Sequence, residues 1–226
     1  MTTYCLIHGS GQGPAGWQLL VDQLQQRGHR VLTPGFQIDK IEEGATFHAS
    51  TIVASLNVSG ENPKDVVCVG HSASGMYLPL IAEMYQPRQM IFLAALIPIP
   101  GVSMFEQAQI QPIFNPAWSG KDPGDEEAAL EFVFHDCPPE RLEWALSTRI
   151  CFYAKQTIIE PCPLNTWPDV KAGYIACADD RTITPEWQMK AAHERLSVEP
   201  IVLPGGHAPQ VSRPLELADA LESLTR

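Results

Sequence analysis

Short apolar runs separated by amphipathic stretches recur along most of this chain, and no other feature of the sequence restricts the fold as much. Tyr4–His8, His29–Thr33, Asp65–Val69 and Gln89–Leu96 have the length and composition of strands. Trp17–Gln26, Ala45–Leu56 and Ser74–Tyr85 lie between them with helical character. Strands joined through helices run parallel, and a parallel sheet is buried on both faces. The expected architecture is α/β, with a mostly parallel six-stranded sheet and helices on both faces. The rhythm breaks at Ile97-Pro98-Ile99-Pro100-Gly101, and Pro112, Pro116, Pro123, Pro138, Pro139, Pro161, Pro163 and Pro168 follow. Inside this excursion Asp125–Phe134 and Pro139–Ser147 have helical character, with Pro138-Pro139-Glu140 at a helix start. Residues 98–168 are therefore expected to form a small helical cap inserted into a core of residues 1–97 and 169–226. The strand and helix pattern resumes with Gly173–Ala178, Glu186–Arg195, Glu199–Leu203 and Pro214–Leu224.

Of the 226 residues, 45% are hydrophobic and 18% charged, enough to bury a sizeable core and too apolar for a disordered chain. The net charge of -11, with no basic stripe to offset it, disfavours nucleic acid as a partner. Apolar runs such as Met90 to Ile97 are too short to span a bilayer, so no membrane association is expected. The N-terminal Met1-Thr2-Thr3-Tyr4-Cys5 lacks the pattern of a secretory leader. Cys5, Cys68 and Cys177 fall in apolar runs that read as buried thiols, which fits a reducing, cytoplasmic location.

In an open parallel sheet, sites form beyond the carboxyl ends of the strands. Four such ends carry unusual polar chemistry: His8-Gly9-Ser10-Gly11-Gln12-Gly13, Gly70-His71-Ser72-Ala73-Ser74-Gly75, Asp179-Asp180 and Gly205-Gly206-His207. Ser72 sits between a strand and a helix, where a tight turn exposes the hydroxyl as a nucleophile. A serine hydroxyl needs a base, and His207, on a glycine-flanked loop, can supply it. Asp180 or its neighbour Asp179 can fix the tautomer of that base, with Asp180 favoured. The order Ser72, Asp180, His207 is that of a serine hydrolase on this kind of sheet. The backbone amides of Ala73 and Ser10 are candidate oxyanion donors. Ser74 reads as a helix-capping residue.

Together, His8-Gly9 with Trp17 downstream, Gly70-His71-Ser72, Phe92-Leu93-Ala94-Ala95, His135-Asp136-Cys137-Pro138-Pro139-Glu140, Tyr174 to Arg181, and Gly206-His207 span nearly the whole chain. This set resembles the α/β-hydrolase fold superfamily, and within it the branch of plant methyl esterases and hydroxynitrile lyases with their bacterial relatives. In that family the acid precedes an Ile-x-Pro segment, which implies Asp180 ahead of Ile183-Thr184-Pro185, and the oxyanion donors fall on Ser10 and Ala73. The usual nucleophile signature is Gly-x-Ser-x-Gly, and this chain departs from it with Ser74 at the last position, followed by Gly75. The lyases differ at two places, with threonine where this chain has Gly9 and lysine where it has Ala208. The resemblance therefore implies a serine hydrolase that cleaves a small, partly apolar carboxylic ester through an acyl-enzyme, needing no metal or organic cofactor.

Two other readings compete with this one: lyase-like or other base chemistry that needs no cofactor, and a noncatalytic small-molecule-binding protein on the same fold. Gly11-Gln12-Gly13-Pro14-Ala15-Gly16 matches a dinucleotide fingerprint, but the second strand ends at Thr33-Pro34-Gly35 without the acid that would hold a ribose. His135-Asp136-Cys137 lacks the spaced partners of a metal site and reads as cap packing. Phe105, Phe114, Trp118, Phe132, Phe134 and Trp144 are candidate walls for the substrate. A homodimer is one option for the assembly.

Overall fold

The computed structural model describes residues 1–122 and 124–226; Pro123, one of the prolines of the excursion, lies outside the described residues. In chain order the elements are β1 (Thr3–Ile7), α1 (Gln18–Gln26), β2 (Arg30–Leu32), α2 (Ala45–Ser59), β3 (Val66–His71), α3 (Leu78–Tyr85) and β4 (Gln89–Leu93). The excursion carries α4 (Met104–Ile110), α5 (Glu126–Ala128), α6 (Pro139–Ser147) and α7 (Lys155–Ile159). After it come β5 (Lys171–Cys177), α8 (Pro185–Ala191), β6 (Ile201–Leu203), α9 (Pro209–Ser212) and α10 (Pro214–Thr225). The strands form one six-stranded sheet in the order β2-β1-β3-β4-β5-β6, and every pairing is parallel.

Successive residues of each strand point to opposite faces, and the two halves of the core divide accordingly. Cys5, Ile7, Cys68, Met90 and Phe92 pack on one face with Ile52 and Leu56 of α2, Leu78 and Ile81 of α3, and Trp187 of α8. Tyr4, Leu6, Val67, Val69, Ile91 and Leu93 pack on the other with Leu20 and Leu24 of α1 and Leu217 and Leu221 of α10. Both sets are apolar, which is why the strands read as continuous runs rather than as alternating ones.

Several boundaries differ from those the sequence suggests. The β4 strand stops at Leu93, not Leu96, because Ala94 takes a left-handed backbone (φ 42°) and Leu96 N–H instead donates to Ser72 O at 3.0 Å. Residues Ser72–Met76 form a 3-10 turn, so α3 begins at Leu78 rather than at Ser74. The expected helices at 125–134 and 186–195 each end in a π-type turn, Ala129–Val133 and Ala192–Leu196. Helix α4 has a sequence signal of its own: the Ser103 side chain accepts from Glu106 N while Glu106 reaches back to Ser103 N, a capping box. Among the described residues no helix is long and apolar enough to cross a membrane.

Candidate active site

The site grows from the turn after β3. Ser72 has a left-handed backbone (φ 57°), a conformation that is strained for a residue with a β-carbon. The bond from Leu96 N–H to the Ser72 carbonyl holds it there. Gly75 is required next to it, since a β-carbon at that position would overlap the carbonyl oxygen of Leu96. Ser74, read from sequence as a helix cap, works in the opposite sense. Its fully buried hydroxyl donates to the carbonyls of His71 (2.8 Å) and Ile7 (2.9 Å), tying the end of β1 to the end of β3.

Two loops bring the remaining polar groups to Ser72. His207 Nε2 is 2.9 Å from Ser72 Oγ, and His207 Nδ1 is 2.7 Å from Asp180 Oδ2. The carboxylate accepts at Nδ1, so that nitrogen carries the proton and Nε2 is left to accept from the serine hydroxyl. Asp180 is buried and its neighbour Asp179 is exposed, which separates the two acids. Oδ1 of Asp180 accepts from Thr182 N (2.7 Å), Thr182 Oγ1 (2.9 Å) and Ile183 N (3.1 Å). Oδ2 also accepts from Gln188 Nε2 at 2.8 Å. Gln188 carries no sequence signal of this role, because a glutamine in the middle of a helix has none until the helix is docked.

Ser10 and Ala73 face the same cavity as Ser72 and His207. His8 fixes the peptide that ends in the Ser10 amide. Phe36 N–H donates to His8 Nε2 at 3.4 Å, so Nδ1 carries the proton and donates to Gly9 O at 2.9 Å. In a trans peptide the Ser10 N–H then points the opposite way. Burial lowers the His8 pKa, which keeps this arrangement neutral. Gly9 permits the close approach of the loop, since a β-carbon there would lie 2.8 Å from Ser72 Cβ. His71 donates from Nε2 to His207 O at 2.8 Å, and burial, with His207 alongside, pushes its pKa down to about 3.

The cavity measures about 120 Å³. Of the expected walls, Phe114, Trp118 and Phe134 line it. Phe105 does not, because it is 55% exposed on the outer face of α4. Phe132 packs against Trp118 with ring centres 5.6 Å apart, and Trp144 packs against the cluster that holds Phe134, Ala208 and Val211; neither lines the cavity itself. Leu96, Ala129, Val133, Tyr153, Ile158 and Ile183 add to the apolar walls, and Gln12 adds an amide held by Thr148 and Gln210. No group of three or more metal-ligating side chains converges anywhere among the described residues.

The chain is similar to known proteins over nearly its whole length. A family model described as "Alpha/beta hydrolase family" matches residues 6–220. Polyneuridine aldehyde esterase of Rauvolfia serpentina is 27% identical over 249 residues, covering 96% of this chain and 93% of the relative. Norfluorocurarine synthase 2 of a Strychnos species is 23% identical over 253 residues, covering 98% and 94%. The crystal structure of a methylesterase from Arabidopsis superposes with a TM-score of 0.79 at 18% identity, covering 100% of this chain and 99% of that one.

Proposed function

The chain belongs to the alpha/beta hydrolase family and has esterases among its homologues, and from that membership we propose that it is a serine esterase cleaving a small carboxylic ester through an acyl-enzyme. The observation that supports this most directly is the unbroken chain from Ser72 Oγ through the His207 imidazole to Asp180, with gaps of 2.9 and 2.7 Å, at the wall of an apolar cavity. In this reading Ser72 attacks the ester carbonyl as His207 Nε2 takes the hydroxyl proton. Asp180 stabilises the imidazolium, and the amides of Ala73 and Ser10 receive the charge that develops on the carbonyl oxygen. His207 then passes its proton to the departing alcohol, and water, activated by the same base, releases the acid. The excursion acts as a cap that supplies most of the apolar wall. The substrate is a compact neutral ester, since none of the described lining residues is Asp, Glu, Lys or Arg.

The test is the intact mass after exposure to a small fluorophosphonate, followed by mapping of the labelled peptide. One adduct on Ser72, lost in His207→Ala, is the expected result. No adduct under conditions that label a known serine hydrolase would refute the proposal. The synthase among the relatives favours one second reading, in which His207 acts as a base without an acyl-enzyme. Trapping a Ser72 acyl adduct by acid quench during ester turnover supports the first reading, and turnover without it supports the second.

A further inference from the structure

The His135-Asp136 pair lies outside the reacting groups, yet it is built onto the loop that carries His207. Asp136 Oδ2 accepts from Gly206 N–H at 2.9 Å, on the residue before the histidine. His135 Nε2 lies 3.1 Å from Asp179 O, and Asp179 Oδ2 accepts from Gly205 N–H at 2.9 Å. The loop is thus gripped from two sides, by the end of β5 and by the excursion. The paired glycines follow from this grip. A β-carbon on Gly206 would lie 2.5 Å from His135 Nε2 and 2.8 Å from Asp136 Oδ1, and one on Gly205 would overlap Asp136 Oδ2. Gly205 also needs a left-handed backbone (φ 97°).

Stability alone is a poor reason to keep a carboxylate here. Asp136 Oδ1 is buried with no hydrogen-bond partner among the described residues, and the nearest cation, Arg213, stands 3.8 Å from Oδ2. A buried acceptor without a protein donor is costly. What the carboxylate gains is a fixed distance to the loop of the base. Val133 and Phe134, three and two residues upstream, line the cavity, and Phe134 packs with Ala208 and Val211 just downstream of His207. The geometry points to Asp136 as a positioning residue for His207: it locks the wall that meets the substrate and the loop that carries the base into one unit. This rests on the esterase reading, in which His207 is the base.

The experiment compares Asp136→Ala and Asp136→Asn, the asparagine keeping an oxygen that can accept from Gly206 N–H. For the ester that the wild-type protein turns over best, Asp136→Ala should lower kcat by roughly ten- to a hundred-fold with KM nearly unchanged, as expected when a reacting group is displaced by about 1 Å. Asp136→Asn should recover most of that loss. A second readout does not need turnover: the downfield proton resonance of His207 Nδ1–H, assigned by its absence in His207→Ala, should broaden or vanish in Asp136→Ala and persist in Asp136→Asn. Wild-type kcat and an unshifted resonance in Asp136→Ala would overturn the proposal, as would an asparagine variant as impaired as the alanine. If Asp136→Ala does not fold, Asp136→Glu takes its place, because the longer side chain displaces the acceptor while keeping the charge, and unchanged kcat and resonance there overturn the proposal equally. If no ester is hydrolysed by any form, the esterase reading fails, and the resonance still decides the role of Asp136.

Discussion

Replacing Ser74 tests whether the departure from the usual elbow glycine is a defect or a substitute. Its single hydroxyl proton is shared between two carbonyls, at 2.8 and 2.9 Å, in a fully buried position. Ser74→Ala removes that bond, worth about 1 kcal/mol net, and leaves the carbonyls without this donor, which adds about 1–2 kcal/mol. The sum, about 2–3 kcal/mol, corresponds in a chain of this size to a fall in Tm of roughly 4–12 °C. Ser74→Gly restores the familiar signature and should be less stable still, by about 0.5–1 kcal/mol of added chain entropy, because Ser74 does not have the left-handed backbone that would reward glycine. Ser74 does not line the cavity, so kcat should stay within a few-fold of wild type in both variants. Thermal unfolding of the three proteins at one pH, followed by circular dichroism, gives the answer. An alanine variant that melts with the wild type, or a glycine variant that melts above it, would refute the reasoning.

Two further outcomes follow from burial. His71, depressed to about 3 from the ordinary histidine value of 6.5, excludes in the folded state a proton that the unfolded chain binds between those values. Its contribution is therefore fully present above pH 6.5 and is lost as pH falls toward 3, at a limiting slope of about 1.4 kcal/mol per pH unit. His8 and His48, also lowered by burial, act in the same direction. In His71→Gln, which keeps a donor for His207 O, Tm should fall less steeply between pH 6 and pH 4 than in the wild type, and parallel slopes would refute the assignment. Of the six thiols, only Cys151 is exposed, while burial and Asp136 push Cys137 up to about 11. Native protein should therefore show one fast thiol toward a disulfide reagent, lost in Cys151→Ser, and release the rest only on unfolding; two fast thiols would contradict the packing.

The sheet was legible because each strand is buried on both faces and so is written as an apolar run, and because turn-forming residues punctuate the runs. The polar strand ends were legible for the same reason: after Val69 and Cys177 the sequence changes from apolar to Gly-His-Ser and to Asp-Asp within one or two residues. The excursion was harder. Its helices are short, and three of the six aromatic residues read as walls face elsewhere, since a short irregular helix has no periodic stripe that fixes which side meets the cavity. Asp136 and Gln188 left no trace in the sequence as supports of His207 and Asp180, because Asp136 acts on a loop 70 residues away and Gln188 reaches Asp180 only once α8 is docked against the end of β5.

What the chain alone determined is the set of chemically competent groups and their order: a serine, an acid and a histidine, each just past a strand, with glycines where backbone must come close. Local chemistry suffices for that, because burial and turn formation act within a few residues. Only the tertiary structure decided which of Asp179 and Asp180 faces His207, that Ser74 ties two strand ends rather than capping a helix, and that a carboxylate from the excursion holds the histidine loop. Those outcomes depend on distances between segments remote in sequence. They are set by packing the two faces of the sheet and seating the excursion over its carboxyl edge, which no short window of residues can encode.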